Sequence, residues 1–407
     1  MIKVIKNPEV YSPEYMGIRD IVVAADKIEG IYENVKIPED FVDIEVIDAH
    51  GLIVVPGFID NHVHILGGGG EGGFSTRTPE IKISQITSAG ITTVIGCLGT
   101  DDVCRNINSL YAKACGLEAE GISTFIYTGG YEIPIKTLTG SPKSDIMMID
   151  KVIGVGEIAI SDNRSAQPTY DQFVNTIALS RVGGMLSGKS GVVNVHMGSG
   201  DRKMGFLFKM LQETEIPSSQ VLPTHCNRKG ELFIEAISYA REGGLIDLTT
   251  SFDPNHLDPG EVRASEGLKR LLMAGVKDEH ITFSSDGNGS MPKFNEKNEF
   301  LGLGICSVVS LLEEVRSSVL EFNIPLETAL KTVTENPARI FKLSQKGKLE
   351  KGRDGDILFL TKDNLEVVSV MAKGKFHVRD GKQIVKGTFE EAEEHKLKGA
   401  RNNFNIV

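Results

Sequence analysis

The chain has 407 residues, 40% hydrophobic and 24% charged, and a formal net charge of −11. That length holds one large α/β barrel with a smaller module, or two to three ordinary domains. An acidic balance without any basic stripe excludes a nucleic-acid partner, and no apolar run is long enough to cross a bilayer.

The N-terminus lacks the apolar stretch of a signal peptide. Five cysteines, Cys97, Cys104, Cys115, Cys226 and Cys306, are scattered without CxxC spacing. They are expected as reduced thiols of a cytoplasmic protein.

Residues 1–51 carry short alternating strands, among them DIVVAADKIEGIYE (20–33) and DIEVID (43–48). From about residue 52 to 340, eight strand candidates follow at 56–64, 92–97, 123–129, 152–161, 191–198, 221–226, 244–251 and 280–287. Helix-like stretches such as SLYAKACGLEAEG and GELFIEAISYAREGG lie between them, several closed by glycine. This rhythm predicts an α/β fold, a (β/α)8 TIM barrel over residues 55–345, rather than an open doubly wound sheet. No GxGxxG follows the first strand. Residues 346–390 return to short strands with turn glycines. With residues 1–54 they predict a small β-sandwich domain formed from both termini, and 391–407 reads as a charged tail.

The first barrel strand ends in DNHVHILGGGGEGG (60–73). Alternation puts His62 and His64 on one face and turns Asn61 and Val63 the other way. Three later strands also finish on polar residues: GVVNVH on His196, VLPTH on His225 and HITFSSD on Asp286. Barrel active sites lie at the C-terminal ends of the strands, so four imidazoles and a carboxylate converge there with the composition of a hydrolytic metal site. Glu157 interrupts the apolar strand VIGVGEIAIS. A buried carboxylate needs a partner, and the expectation is a metal-bridging ligand.

The stretches PGFIDNHVHILGGGGEGG, GCLGTDD, TGGYEIP, AISDNRSA, NVHMG, LPTHCNR and SSDGNGS together resemble the isoaspartyl dipeptidases, binuclear zinc peptidases of the amidohydrolase superfamily. The similarity runs from about residue 45 to 390. The resemblance implies two divalent metal ions, Zn2+, the first held by His62, His64 and Asp286 and the second by His196 and His225. It implies hydrolysis of the β-peptide bond of isoaspartyl dipeptides by a metal-bridging hydroxide, with Asp286 passing a proton to the departing amine. Tyr131 would steady the oxyanion, Glu71 bind the substrate ammonium, and Arg164 and Arg228 grip its carboxylates, with Thr100 and Ser290 completing the lining. A homo-oligomer, with an octamer as one candidate, is implied as well. The family's bridging lysine, carboxylated by CO2, is replaced here by Glu157, which predicts a site that assembles without bicarbonate.

The glycine run is not a P-loop, since no GK[ST] follows. It can fold tightly over the barrel mouth and present Glu71. His50, His256, His280, His377 and His395 are expected to be structural or superficial, Cys226 a packed thiol, and Arg77 and Glu80 solvated or capping groups. Two other readings stay open. One is an amidohydrolase acting on cyclic amides or N-acyl amino acids, of dihydroorotase, hydantoinase or deacylase type. The other is a non-catalytic scaffold.

Overall fold

The computed structural model describes residues 1–38, 43–252, 260–295 and 300–390. His256, His395 and the expected tail 391–407 lie outside the described residues.

Eight parallel strands form the barrel: β1 Phe58–Val63, β2 Ile91–Gly96, β3 Ser123–Thr128, β4 Val152–Ile160, β5 Val192–Met197, β6 Val221–Thr224, β7 Ile246–Thr249 and β8 Ile281–Ser284. Each falls inside the run expected for it to within one residue, β2 starting at Ile91 rather than Thr92. All are rich in Val, Ile and Thr and nearly every residue is buried, as a strand with helices on one side and the barrel interior on the other requires. Strands β1 to β6 pair in chain order and β7 pairs with β8. Strand β6 packs beside β7, and a bridge from Val63 to Gly287 returns the end of the barrel to β1. The result is a TIM barrel.

The helices between the strands are fixed at their ends by local chemistry. Asn106 caps Ile107–Glu120 by accepting from Ser109 N, and Thr169 with Gln172 forms a capping box ahead of Tyr170–Ser187. The latter helix stops at Gly188, in the left-handed region with φ 74°. Helices Pro142–Met148, Ser310–Leu320, Leu326–Lys331 and Glu335–Ile340 add to those expected.

Strands from both ends of the chain build two further sheets. Leu52–Pro56 runs antiparallel to Ile357–Thr361, so the segment entering the barrel pairs with the segment returning from it. Ile5, Ile21, Ile28, Val54, Ile357 and Phe359 share one apolar cluster there, and the sheets form the expected β-sandwich.

One local expectation is overturned. Strand β1 is irregular between Asp60 and Val63, and simple alternation fails there. Asn61 therefore faces inward: its amide donates to Asp247 Oδ1 at 3.2 Å and to the Phe283 carbonyl at 3.3 Å. Asp247 also accepts from Thr224 Oγ1 (2.7 Å), Thr282 Oγ1 (2.6 Å) and Ser284 Oγ (2.5 Å). Asp60, whose carboxyl burial pushes up to about 7, accepts from Ser285 N at 3.1 Å and from the Ser285 hydroxyl. This polar plug ties β1 to β6, β7 and β8 below the mouth and sets the angle at which His62, His64 and Asp286 meet.

Candidate active site

His62 and His64 leave the end of β1, Glu157 lies within β4, and His196 is the penultimate residue of β5. His225 follows β6 by one residue and Asp286 follows β8 by two. All six are buried and converge at the mouth. His62 Nε2 stands 3.5 Å from both Glu157 Oε2 and Asp286 Oδ1, and His64 Nε2 stands 3.5 Å from Glu157 Oε1 and 3.1 Å from Asp286 Oδ1. On the other side His196 Nδ1 lies 3.1 Å and His225 Nε2 3.6 Å from Glu157 Oε2.

These separations test whether a cation fits. A tetrahedral centre with N and O bonds of about 2.0–2.1 Å has ligand-to-ligand edges of about 3.4 Å. The six distances scatter around that edge. His62 Nε2 is also wholly buried without a hydrogen-bond partner, which is costly for a ring nitrogen unless an ion takes its lone pair. The donor set, imidazole and carboxylate, suits a divalent metal, and this protein binds divalent metal ions.

Every imidazole is oriented by a second contact at its other nitrogen, as metal-bound histidines require. His62 Nδ1 meets Asn194 Oδ1 at 3.1 Å, His64 Nδ1 the Cys97 Sγ at 3.7 Å, His196 Nε2 the Asp162 Oδ2 at 3.0 Å, and His225 Nδ1 the Thr249 Oγ1 at 2.7 Å. Sequence reasoning missed these four partners. A usable signal existed for three of them. Cys97 and Thr249 end barrel strands as the histidines do, and Asn194 shares a face with His196 two residues on.

The electrostatics follow from the crowding of charge. Burial pushes the Glu157 carboxyl up, but the imidazoles of His62 and His196 outweigh it and hold the group well below the usual carboxylate range. Asp286 is buried too, and Arg228, which donates to its Oδ2, and His64 hold it well below that range. Burial and then the nearby Arg228 keep His225 well below an ordinary imidazole, hence neutral with a free lone pair. Burial and the Glu157 charge raise the Tyr131 phenol far above its normal range, so it stays protonated.

The remaining expected residues stand around the same cavity. Glu71, Thr100, Tyr131, Arg164, Arg228 and Ser290 all line it. Glu71 Oε1 accepts from Thr100 Oγ1 at 2.9 Å and from Arg164 Nη1 at 3.4 Å. Tyr131 OH lies 2.9 Å from His196 Nδ1. Arg164 also forks onto Asp162, with Nε to Oδ1 at 3.0 Å and Nη2 to Oδ2 at 2.8 Å.

The glycine run does fold over the mouth. Gly67 has φ 84°, and a Cβ there would stand 2.3 Å from the Thr78 carbonyl; a Cβ on Gly69 would meet Ser290 Cβ at 2.9 Å. Buried Arg105 laces the loop from beneath, donating to the carbonyls of Leu66 (3.0 Å), Gly69 (3.4 Å) and Thr78 (2.7 Å). Arg77, expected as a solvated or capping group, instead donates to Asp101 Oδ2 at 2.7 Å and joins this loop to the one bearing Thr100.

Two models of the amidohydrolase family match the chain, one over residues 45–100 and the other over 254–377. Among curated proteins, the dihydroorotase of Aquifex aeolicus is 26% identical across 94% of this chain and 99% of its own. Barrel and cluster together define a metal-binding hydrolase of the amidohydrolase family. The crystal structure of beta-aspartyl dipeptidase from Fervidobacterium islandicum AW-1, in complex with beta-Asp-Leu dipeptide, is 48% identical with a TM-score of 0.86, over 94% of this chain and 98% of that one. The chain belongs to the beta-aspartyl (isoaspartyl) dipeptidase family. Dihydropyrimidinase from Brevibacillus agri NCHU1002, 15% identical with a TM-score of 0.66 over 95% and 97% of the two chains, shares the fold.

Proposed function

We propose that this enzyme cleaves the β-peptide bond of isoaspartyl dipeptides, with His62, His64, Glu157, His196, His225 and Asp286 holding two zinc ions. The observation that carries the proposal is one cavity whose wall combines Glu71, Arg164 and Arg228 with His64, Glu157, His196, His225 and Asp286 of the cluster. A free ammonium, two carboxylates and one amide are the polar groups of a β-aspartyl dipeptide, and the cavity wall offers a matching group for each.

When bound, the two cations would acidify a water molecule and polarise the scissile carbonyl. Asp286, ionised and lodged between His64 and Arg228, accepts the proton released by the attacking water and returns it to the departing amine. Tyr131 donates its phenolic hydrogen to the oxygen that gains charge as the carbonyl is attacked. Glu71 takes the substrate ammonium, steadied by Thr100. Arg164, aligned by Asp162, and Arg228 take the carboxylates, Arg228 exchanging its hold on Asp286 for the substrate. Glu157 turns Oε2 toward His62, His196 and His225 and Oε1 toward His64, the arrangement a bridging ligand needs. A neighbouring cavity of about 440 Å³, walled partly by Met197, Leu232, Phe252, Met291 and Pro292, suits an apolar side chain on the leaving residue.

Self-association belongs to this proposal. Leu179, Val182, Met185 and Leu186 present an exposed apolar face on helix Tyr170–Ser187, which supports a homo-oligomer. A cytoplasmic setting rests on the cysteine usage alone; no described helix is long and apolar enough to cross a membrane.

The test pairs metal quantitation with turnover. The expected result is two zinc ions per chain and rapid cleavage of β-Asp-Leu, with α-Asp-Leu, cyclic amides and N-acyl amino acids poor substrates. Preference for a cyclic amide or an N-acyl amino acid refutes the assignment. Within the same assay, Glu71→Gln lowers kcat/KM for β-Asp-Leu by roughly 10–100-fold, the range for one hydrogen bond to a charged group. N-succinyl-leucine, which lacks the amine, is handled by the variant as by the parent. An equal loss on both compounds removes Glu71 from the ammonium site.

A further inference from the structure

Glu71 hangs from the least self-supporting stretch of the chain. It is the one residue of 67–73 that is not glycine. A glycine backbone brings no side chain to pack and loses more conformational freedom on ordering than any other. The loop is nevertheless closed at its base. Thr78 N donates to the Gly68 carbonyl at 3.0 Å, Gly68 N donates to Thr78 Oγ1 at 2.7 Å, and Gly69 forms an antiparallel bridge with Arg77. Residues 70–76 are the tip beyond this stem, with Glu71 on the outgoing side.

We infer that Arg105 is a positioning residue for Glu71 and so sets the preference of this enzyme for substrates with a free amine. The inference rests on the ammonium role given to Glu71 above and names what holds that group in place. Arg105 is buried, and all three of its guanidinium nitrogens act on the stem. Nε and Nη1 donate to the Leu66 and Gly69 carbonyls of the outgoing leg, and Nη2 donates to the Thr78 carbonyl of the returning leg. One rigid, planar fork therefore spans both legs, which a point-charge ammonium on a flexible stem does not reproduce. The arginine has a firm seat of its own, directly before Asn106, the N-cap of helix Ile107–Glu120. The same short segment supplies Thr100, whose hydroxyl donates to Glu71 Oε1, and Asp101, which takes Arg77 and lies 3.9 Å from Arg105 Nη1. Residues 100–105 thus hold the Glu71 carboxylate and the base of its loop together. Among the described residues, the side-chain hydrogen bonds of Arg105 go to these three carbonyls and to none of the six clustered ligands. Its loss falls on recognition of the amine and spares the chemical step.

Arg105→Lys in the full-length enzyme keeps the charge and gives up the fork. With β-Asp-Leu its KM rises roughly 5–30-fold, the effect of a hydrogen bond lost or misplaced, while kcat stays within about threefold. N-succinyl-leucine, which lacks the amine, competes with the same inhibition constant against parent and variant. In a Glu71→Gln background Arg105→Lys costs nothing further, because both changes act on one interaction. Equal weakening of both compounds, or a loss that adds in full to that of Glu71→Gln, overturns the inference and leaves the ammonium site standing. If Glu71→Gln alone weakens both compounds alike, the ammonium reading falls and this inference with it. Should Arg105→Lys not fold, hydrogen–deuterium exchange of the substrate-free wild type decides. Slow exchange at the amides of Gly68 and Thr78 supports a stem clamped before substrate arrives, and exchange as fast as in an unstructured chain overturns it.

Discussion

Asp286→Asn folds, keeps its metals and loses kcat for β-Asp-Leu by roughly 10²–10⁴-fold, the contribution of a positioned acid–base group. Asp286 sits at φ 52°, in the left-handed region that few side chains accept, and asparagine is among the residues most at ease there. The backbone therefore has no reason to move. The amide oxygen can still face His62 and His64, from which Asp286 Oδ1 is 3.5 and 3.1 Å away. What asparagine cannot do is take a proton from water and surrender it to an amine. The amide also leaves Arg228 without the carboxylate that now pairs with it. That guanidinium becomes freer to hold a substrate carboxylate, so KM falls or stays level while kcat collapses. Steady-state kinetics with metal analysis on the same preparation check this. A variant within about tenfold of wild-type kcat would show that the proton passes elsewhere.

The left-handed conformation at Asp286 recurs at His225, with φ 62°. Two proposed ligands are thus held in a backbone region where non-glycine residues pay a strain cost of about 1–3 kcal/mol. No sequence pattern announces this, since strain arises from closure of the barrel around the chain. The same distinction explains what could be read beforehand. All eight barrel strands were legible because a strand buried on both faces must be a run of Val, Ile and similar residues. The site residues were legible because they interrupt or terminate such runs with groups too costly to bury idle. Asn61 escaped because one irregularity in β1 resets alternation over a few residues, and hydrophobicity carries no mark of it. Asp162 escaped because it matters through a contact with another part of the chain, which spacing along one strand does not encode; Asn194, Thr249 and Cys97 stood at telling strand positions, but which histidine each contacts is fixed only by the closed barrel. Arg105 is the sharpest case: a buried cation whose partners are carbonyls of a distant glycine loop.

Glu157→Gln carries the other large effect, and it falls on assembly rather than on a single chemical step. One carboxylate faces four imidazoles, at 3.5 Å from His62 Nε2 and His64 Nε2, 3.1 Å from His196 Nδ1 and 3.6 Å from His225 Nε2. Glutamine has the same shape but no charge, and its NH₂ confronts lone pairs that a cation would otherwise accept. Metal content drops by more than the roughly 10–100-fold in affinity typical of outer-shell changes, and activity goes with it. Removing one partner from so buried a charged cluster also destabilises the metal-free fold by about 3–5 kcal/mol near neutral pH. The pH dependence has a definite sign. The folded carboxyl lies below its ordinary value of 4.5, so the stability it supplies is present above that pH and is lost as the pH falls through the folded value. Denaturant titrations of metal-free wild type and variant should therefore diverge at neutral pH and converge in acid; curves that stay parallel down to low pH refute the charge argument. Because the side chain carries its own carboxylate, metal uptake by metal-free wild type is also indifferent to bicarbonate. Uptake that climbs steeply with added bicarbonate would mean that some group other than Glu157 bridges the ions.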